Sequence, residues 1–113
     1  HLNNIAVLEQ NGKYDYCPIF DNGAGLLSNV QMSPMDIDPK ALIAVQRARP
    51  FNTTFNRQVG TVRSLYGYQL RMPKLTRAEI RAELAPLLTY YAERDRGIIT
   101  DRVCETILMR QRF

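Results

Sequence analysis

Two oxygen-bearing side chains stand at a spacing that suits a metal ion. Asn4 lies just before the apolar run Ile5–Leu8, and Asp21 follows the strand-like run that ends Pro18-Ile19-Phe20. Between them, Asn11-Gly12 marks a tight turn, because a type I′ hairpin needs positive φ at both central positions. A hairpin over residues 5–9 and 14–20 brings its open ends, and with them Asn4 and Asp21, to one edge. A neutral oxygen donor beside a carboxylate suits a hard cation such as Mg²⁺, which takes few protein ligands and completes its shell with water and phosphate oxygens. Gly23 supplies backbone freedom next to the carboxylate rather than chemistry. Each residue also has a plainer reading. Asn near a turn bonds its own backbone, and Asp-Asn-Gly is a common turn tripeptide. The conjunction of amide, hairpin and Asp-x-Gly is what favours a metal site.

His1-Leu2-Asn3-Asn4 and Asp21-Asn22-Gly23 resemble the tail of a D-R-H-x-x-N catalytic loop and the D-x-G metal motif that follows it. On these residues the chain resembles the HipA-like bacterial Ser/Thr kinases, and more distantly the phosphatidylinositol-kinase-like group. The resemblance implies that Asn4 and Asp21 are the Mg²⁺ ligands under the ATP phosphates. It implies that His1 belongs to the catalytic loop and helps hold the reacting groups; read from the residues alone, His1 is a frayed terminus. It implies that the catalytic Asp lies two residues before His1, so that the chain begins inside the motif. The Gly-rich phosphate loop, the ATP-contacting Lys and the base then lie outside these residues, and Asn3 is structural. The fold expected is α+β and mostly α, a short β-hairpin followed by about four helices, like the C-terminal lobe of a protein-kinase-like fold.

The domain expectation is a partial kinase C-lobe over 1–113. Residues 1–23 are catalytic-loop tail, hairpin and metal motif, 24–52 an activation-segment-like loop with a short helix, and 53–113 a helical subdomain. The implied activity is ATP-dependent Ser/Thr phosphorylation by the full-length enzyme, with the isolated chain inactive. Partners implied are a protein substrate, the N-terminal lobe of the same parent and an antitoxin-like protein. Two alternatives belong to other classes: a non-catalytic basic domain that binds nucleic acid or an antitoxin-like partner, and a degenerate kinase acting as a scaffold.

Composition bounds these readings. The 113 residues suffice for one domain, and 45% apolar with 23% charged content is ordinary for a globular chain. No apolar run approaches a membrane span, and no signal peptide is visible. Cys17 and Cys104 lie far apart without a C-x-x-C, so a metal-binding cysteine cluster is not expected and a reduced, cytoplasmic setting is the default. With His1 the only His, no Ser-His-Asp or Cys-His arrangement is available.

Charge is uneven. Residues 1–46 carry two lysines against five acidic residues, net −3, whereas 47–113 carry thirteen basic against six acidic, net +7. Twelve of the fifteen cations are Arg, the side chain that grips carboxylate or phosphate bidentately. Their spacing along helices favours a solvated face over a nucleic-acid patch.

The elements that position these groups follow in order. Gly23 and Gly25 permit a sharp turn after Asp21, and residues 26–37 lack a period and read as loop. Asp38-Pro39 starts a helix through about Val45 or Arg47, with Asp as N-cap and Pro in the first turn. Asn52-Thr53-Thr54 caps a second helix with Phe55, Val59, Val62 and Tyr66 on one stripe and Gly67 as its stop. Thr76-Arg77-Ala78-Glu79 is a capping box, flanked by the staple pair Leu75 and Ile80. Ile80, Leu84, Leu87, Leu88 and Tyr91 form the buried stripe, with Pro86 expected to kink or break it. Gly97 is expected to end that region, and Thr100 or Asp101 to cap a last helix with Val103, Cys104, Ile107 and Leu108 facing inward.

Ser28, Ser33, Thr53 and Thr54 fall in or near the activation-like segment. A phosphate there, opposite Arg47 or Arg49, would order it, although solvated loop hydroxyls are the plainer reading. Tyr66, Tyr68, Tyr90 and Tyr91 have the aromatic-plus-Arg flavour of single-strand binding, yet helical stripes favour core packing or a lobe interface. Cys17 reads as a small buried hydrophobe.

Overall fold

A computed structural model describes residues 5–21, 23, 25–47, 51–68, 71 and 73–112. It is α+β and mostly helical: strands β1 (Val7–Gln10) and β2 (Lys13–Tyr16), then helices α1 (Pro39–Val45), α2 (Phe55–Tyr66), α3 (Arg77–Leu88) and α4 (Glu93–Arg110). A short 3-10 turn, Gly25–Leu27, lies between β2 and α1.

The hairpin forms as its turn dictates. Asn11 (φ 54°) and Gly12 (φ 73°) both take the left-handed backbone, and Val7 pairs with Tyr16 through to Gln10 with Lys13. The ladder reaches one step further, where Cys17 N donates to Ala6 O at 2.9 Å. It stops short of the 14–20 expected from sequence because Pro18 has no N–H to donate.

The starts of α1, α2 and α3 are local chemistry. Asp38 accepts from Lys40 N at 2.8 Å, and Thr54 accepts from Arg57 N at 3.3 Å. The capping box closes in both directions: Thr76 Oγ1 accepts from Glu79 N at 3.2 Å and Glu79 Oε2 accepts from Thr76 N at 2.7 Å. That bond holds the Glu79 carboxyl below its ordinary range. Gly67, at φ 76°, ends α2.

The last third departs from expectation. Helix α3 runs through Pro86 to Leu88 and the chain breaks over residues 89–92, and Gly97 lies inside α4 rather than ending a helix; Thr100 and Asp101 are interior, and Ala92 is the N-cap. Gly97 has helical φ, so it costs only about 1 kcal/mol of propensity. Glu93 and Asp95 in the first turn favour an earlier start by complementing the helix dipole.

The core is small and centred on α4. Among the described residues its buried apolar members are Leu27 from the 3-10 turn, Ile43 from α1, Ile80 from α3 and Cys104 from α4. Glu105 of α4 ties two neighbours to it. It receives a hydrogen bond from Arg77 of α3, which holds its carboxyl below the ordinary range, and lies 3.7 Å from Lys40 of α1. Of the expected stripe, Leu84 and Leu88 are half-buried while Leu87 and Tyr91 are exposed. Val103, Ile107 and Leu108 are half-buried. Helix α2 buries no residue fully; it is held by Asn56 Nδ2 donating to Met109 O at 3.2 Å and by Arg110 lying 5.5 Å over Phe55.

The chain exposes 9191 Å², against roughly 6300 Å² expected from surface scaling for a folded monomer of this mass. The hairpin contributes to that excess. Val7, Tyr14 and Tyr16 share one face and are 58%, 75% and 78% exposed.

Candidate metal site and the segment behind it

Asp21 lies four residues beyond Cys17, past the open end of the hairpin. It is exposed, with φ 55°, a left-handed conformation that Asp tolerates better than most residues. His1, Asn3, Asn4 and Asn22 lie outside the described residues, so the expected Asn4–Asp21 pair is represented by its carboxylate half. Among the described residues no group of three or more His, Cys, Asp or Glu converges. A site of one carboxylate, one amide and substrate phosphates needs no such group, and the chemistry of Asp21 fits Mg²⁺.

Directly behind Asp21 the backbone is bent and tied. Ser28 Oγ donates to Gly23 O. Leu26 (φ 55°) and Leu27 (φ 60°) are consecutive left-handed residues, each costing roughly 1–2 kcal/mol for an L side chain. Asn29 Oδ1 accepts from Gln31 N and Met32 N at 3.2 and 3.3 Å, turning the chain back. Ser33 N then bonds Asn29 O at 2.8 Å. As the sequence suggested, this segment is loop rather than helix.

What holds it is Arg102. Carried on α4 and 4% exposed, Arg102 donates from Nη1 to Leu27 O (3.2 Å) and Ser33 O (2.7 Å), and from Nη2 to Pro34 O (2.5 Å). Its Nε is buried without a hydrogen-bond partner. No carboxylate among the described residues pairs with it, so three carbonyl dipoles carry the whole compensation of a buried cation. The charge census assigned this Arg to a solvated face. A sequence signal did exist: Ile98 and Ile99, four and three residues before Arg102, and Thr106, four after it, share its helix face.

Beside the clamp, the turn and helices α3 and α4 enclose a groove of about 580 Å³. Leu26, Val30, Leu84, Leu87 and Ile98 supply much of its apolar wall.

The remaining candidates are dispersed. Ser28 is engaged with Gly23 and Thr54 serves as a cap. Arg47 donates to Ala44 O and Gln46 O, and Arg49 lies outside the described residues. Tyr66, Tyr68, Tyr90 and Tyr91 are all exposed, so core packing is not their role. Cys17 is half-buried and Cys104 fully buried, both as free thiols. No helix among the described residues is long and apolar enough to cross a membrane. In comparisons with known proteins, the chain matches no family model, no curated protein and no solved structure.

Proposed function

We propose that this chain is the C-terminal lobe of a HipA-like, ATP-dependent Ser/Thr protein kinase. In this reading Asn4 and Asp21 hold Mg²⁺, and the helical body supports them and receives the protein substrate. The observation that carries it is the run from hairpin to clamp. A carboxylate follows a two-residue-turn hairpin, and the segment after it is fixed to the central helix by a buried arginine. Phosphoryl transfer depends mostly on positioning and electrostatics, and an anchored segment shortly after the carboxylate suits such chemistry. When bound, Mg²⁺ neutralises and orients the ATP phosphate oxygens.

This chain's own residues do the holding. Asp21 supplies the anionic ligand and Asn4 the neutral one, with His1 beside them in the catalytic loop. Arg102 is a positioning residue: it acts through the backbone of 27–34 and touches neither nucleotide nor metal. The surface excess and the exposed apolar face of the hairpin support a lobe covered by the rest of its parent, including the nucleotide-covering N-terminal lobe. An antitoxin-like protein is a further partner in this reading. The setting is cytoplasmic, where thiols such as Cys104 stay reduced.

The test uses the complete parent chain. Asp21→Asn and Asn4→Ala should each remove Mg²⁺-dependent phosphorylation of Ser or Thr while circular dichroism stays unchanged. Full activity in either variant sinks the assignment.

A further inference from the structure

The side of α2 that meets the end of α4 gathers cations that the helical body does not neutralise. Arg63 of α2 and Arg112, just past α4, line one depression of about 240 Å³ together with Asn56, Val59 and Gly60. Neither arginine forms an ion pair among the described residues, whereas Lys40 and Arg77 are both drawn to Glu105. A Cβ built on Gly60 meets nothing within 4 Å, so the floor of the depression is open. The guanidinium of Arg63 lies 5.1 Å from the centroid of the Tyr68 ring, and Tyr68 is 72% exposed. An aromatic platform therefore stands at the rim of a doubly cationic hollow.

We propose that this face binds single-stranded nucleic acid, with a backbone phosphate between Arg63 and Arg112 and a neighbouring base stacked on Tyr68. Arginine suits the phosphate because its planar fork donates two parallel hydrogen bonds. Tyrosine suits the base because every nucleobase has a π-face, and a cation on the same ring strengthens the stack. A phosphopeptide would use the two cations and leave Tyr68 idle. A duplex keeps its bases stacked inside and offers the ring nothing. The net +7 of residues 47–113 supplies long-range attraction for a polyanion. The site involves neither Asp21 nor the segment tied by Arg102, so it stands or falls apart from the kinase reading.

The experiment is fluorescence anisotropy on the full chain with a labelled oligo-dT of about 15 nucleotides, matched to the span of a small single-strand site. A duplex of equal length and a phosphoserine peptide are run alongside. Oligo-dT should bind more tightly than either. Tyr68→Ala should weaken oligo-dT binding about tenfold and leave the weak duplex binding unchanged. Arg63→Gln and Arg112→Gln should each lower the slope of log K against log salt by about 0.7, one phosphate contact apiece. Gly60→Glu, which favours the helix while placing a carboxylate on the floor, should weaken binding further. No oligo-dT binding at low salt, or binding indifferent to all four variants, overturns the proposal. A phosphoserine peptide that binds where oligo-dT does not overturns it in favour of phosphoprotein recognition.

Discussion

Arg102 Nη1 lies 3.2 Å from the carbonyl oxygen of Leu27, a residue 75 positions earlier in the chain. The contact joins the most buried cation among the described residues to the second of two left-handed leucines. A bend that is costly on its own persists because a donor fork on the central helix holds it. Three predictions concern this tie and its neighbours, and a fourth concerns the activity.

Arg102→Leu should destabilise the chain by about 3 kcal/mol in urea unfolding, since it strips donors from three carbonyls at once. Arg102→Lys should recover less than half of that loss, because one ammonium does not span three acceptors on two strokes of backbone. A loss under about 0.5 kcal/mol for the leucine variant would show that the clamp bears no weight.

The two leucines of the turn should respond in opposite directions. Leu26 is 47% exposed, so Leu26→Gly mainly relieves the left-handed backbone and should be neutral or stabilising by up to about 1 kcal/mol. Leu27 is 4% exposed, and Leu27→Ala should cost about 2–3 kcal/mol through lost packing. Equal effects at the two positions would contradict the geometry of the turn.

Acid should weaken the helical body through two carboxylates. Glu79, bonded by the Thr76 backbone, and Glu105, bonded by Arg77, are both held below the ordinary value of 4.5. A depressed folded value means that the contribution is complete above about pH 4.5 and is lost as pH falls through the lowered values. Urea midpoints measured between about pH 6 and pH 3 should therefore fall less steeply for a Glu79→Gln, Glu105→Gln double variant than for the parent. An identical acid limb would remove both groups from the account.

The chain by itself should transfer no phosphoryl group, because the phosphate-covering loop, its lysine and the catalytic base lie outside these residues in the proposed reading. Incubation with Mg²⁺, labelled ATP and a mixed Ser/Thr peptide pool should give no transfer above a protein-free blank. Sustained turnover by the 113-residue chain would refute the division of roles between the lobes.

Much of the fold was legible from short stretches. Asn11-Gly12 set the hairpin, Asp38-Pro39, Thr54 and the Thr76/Glu79 pair set three helix starts, and Gly67 set a stop. Gly97 misled, because a glycine stops a helix only where the backbone turns left-handed, and nothing local forces that here. The candidate site was legible only in part: its carboxylate, Asp21, stands out beside Gly23, but what fixes the following segment does not.

The sequence alone determined those features whose causes lie within about four residues, where a side chain meets its own backbone and φ is set by the residue itself. The tertiary structure decided that Arg102 is buried on Leu27, Ser33 and Pro34, and that Arg63 and Arg112 share one hollow. An arginine's charge is written in its residue type. Whether that charge faces water, carbonyls or another cation depends on which distant backbone the fold brings to it, and only packing around α4 supplies that neighbour.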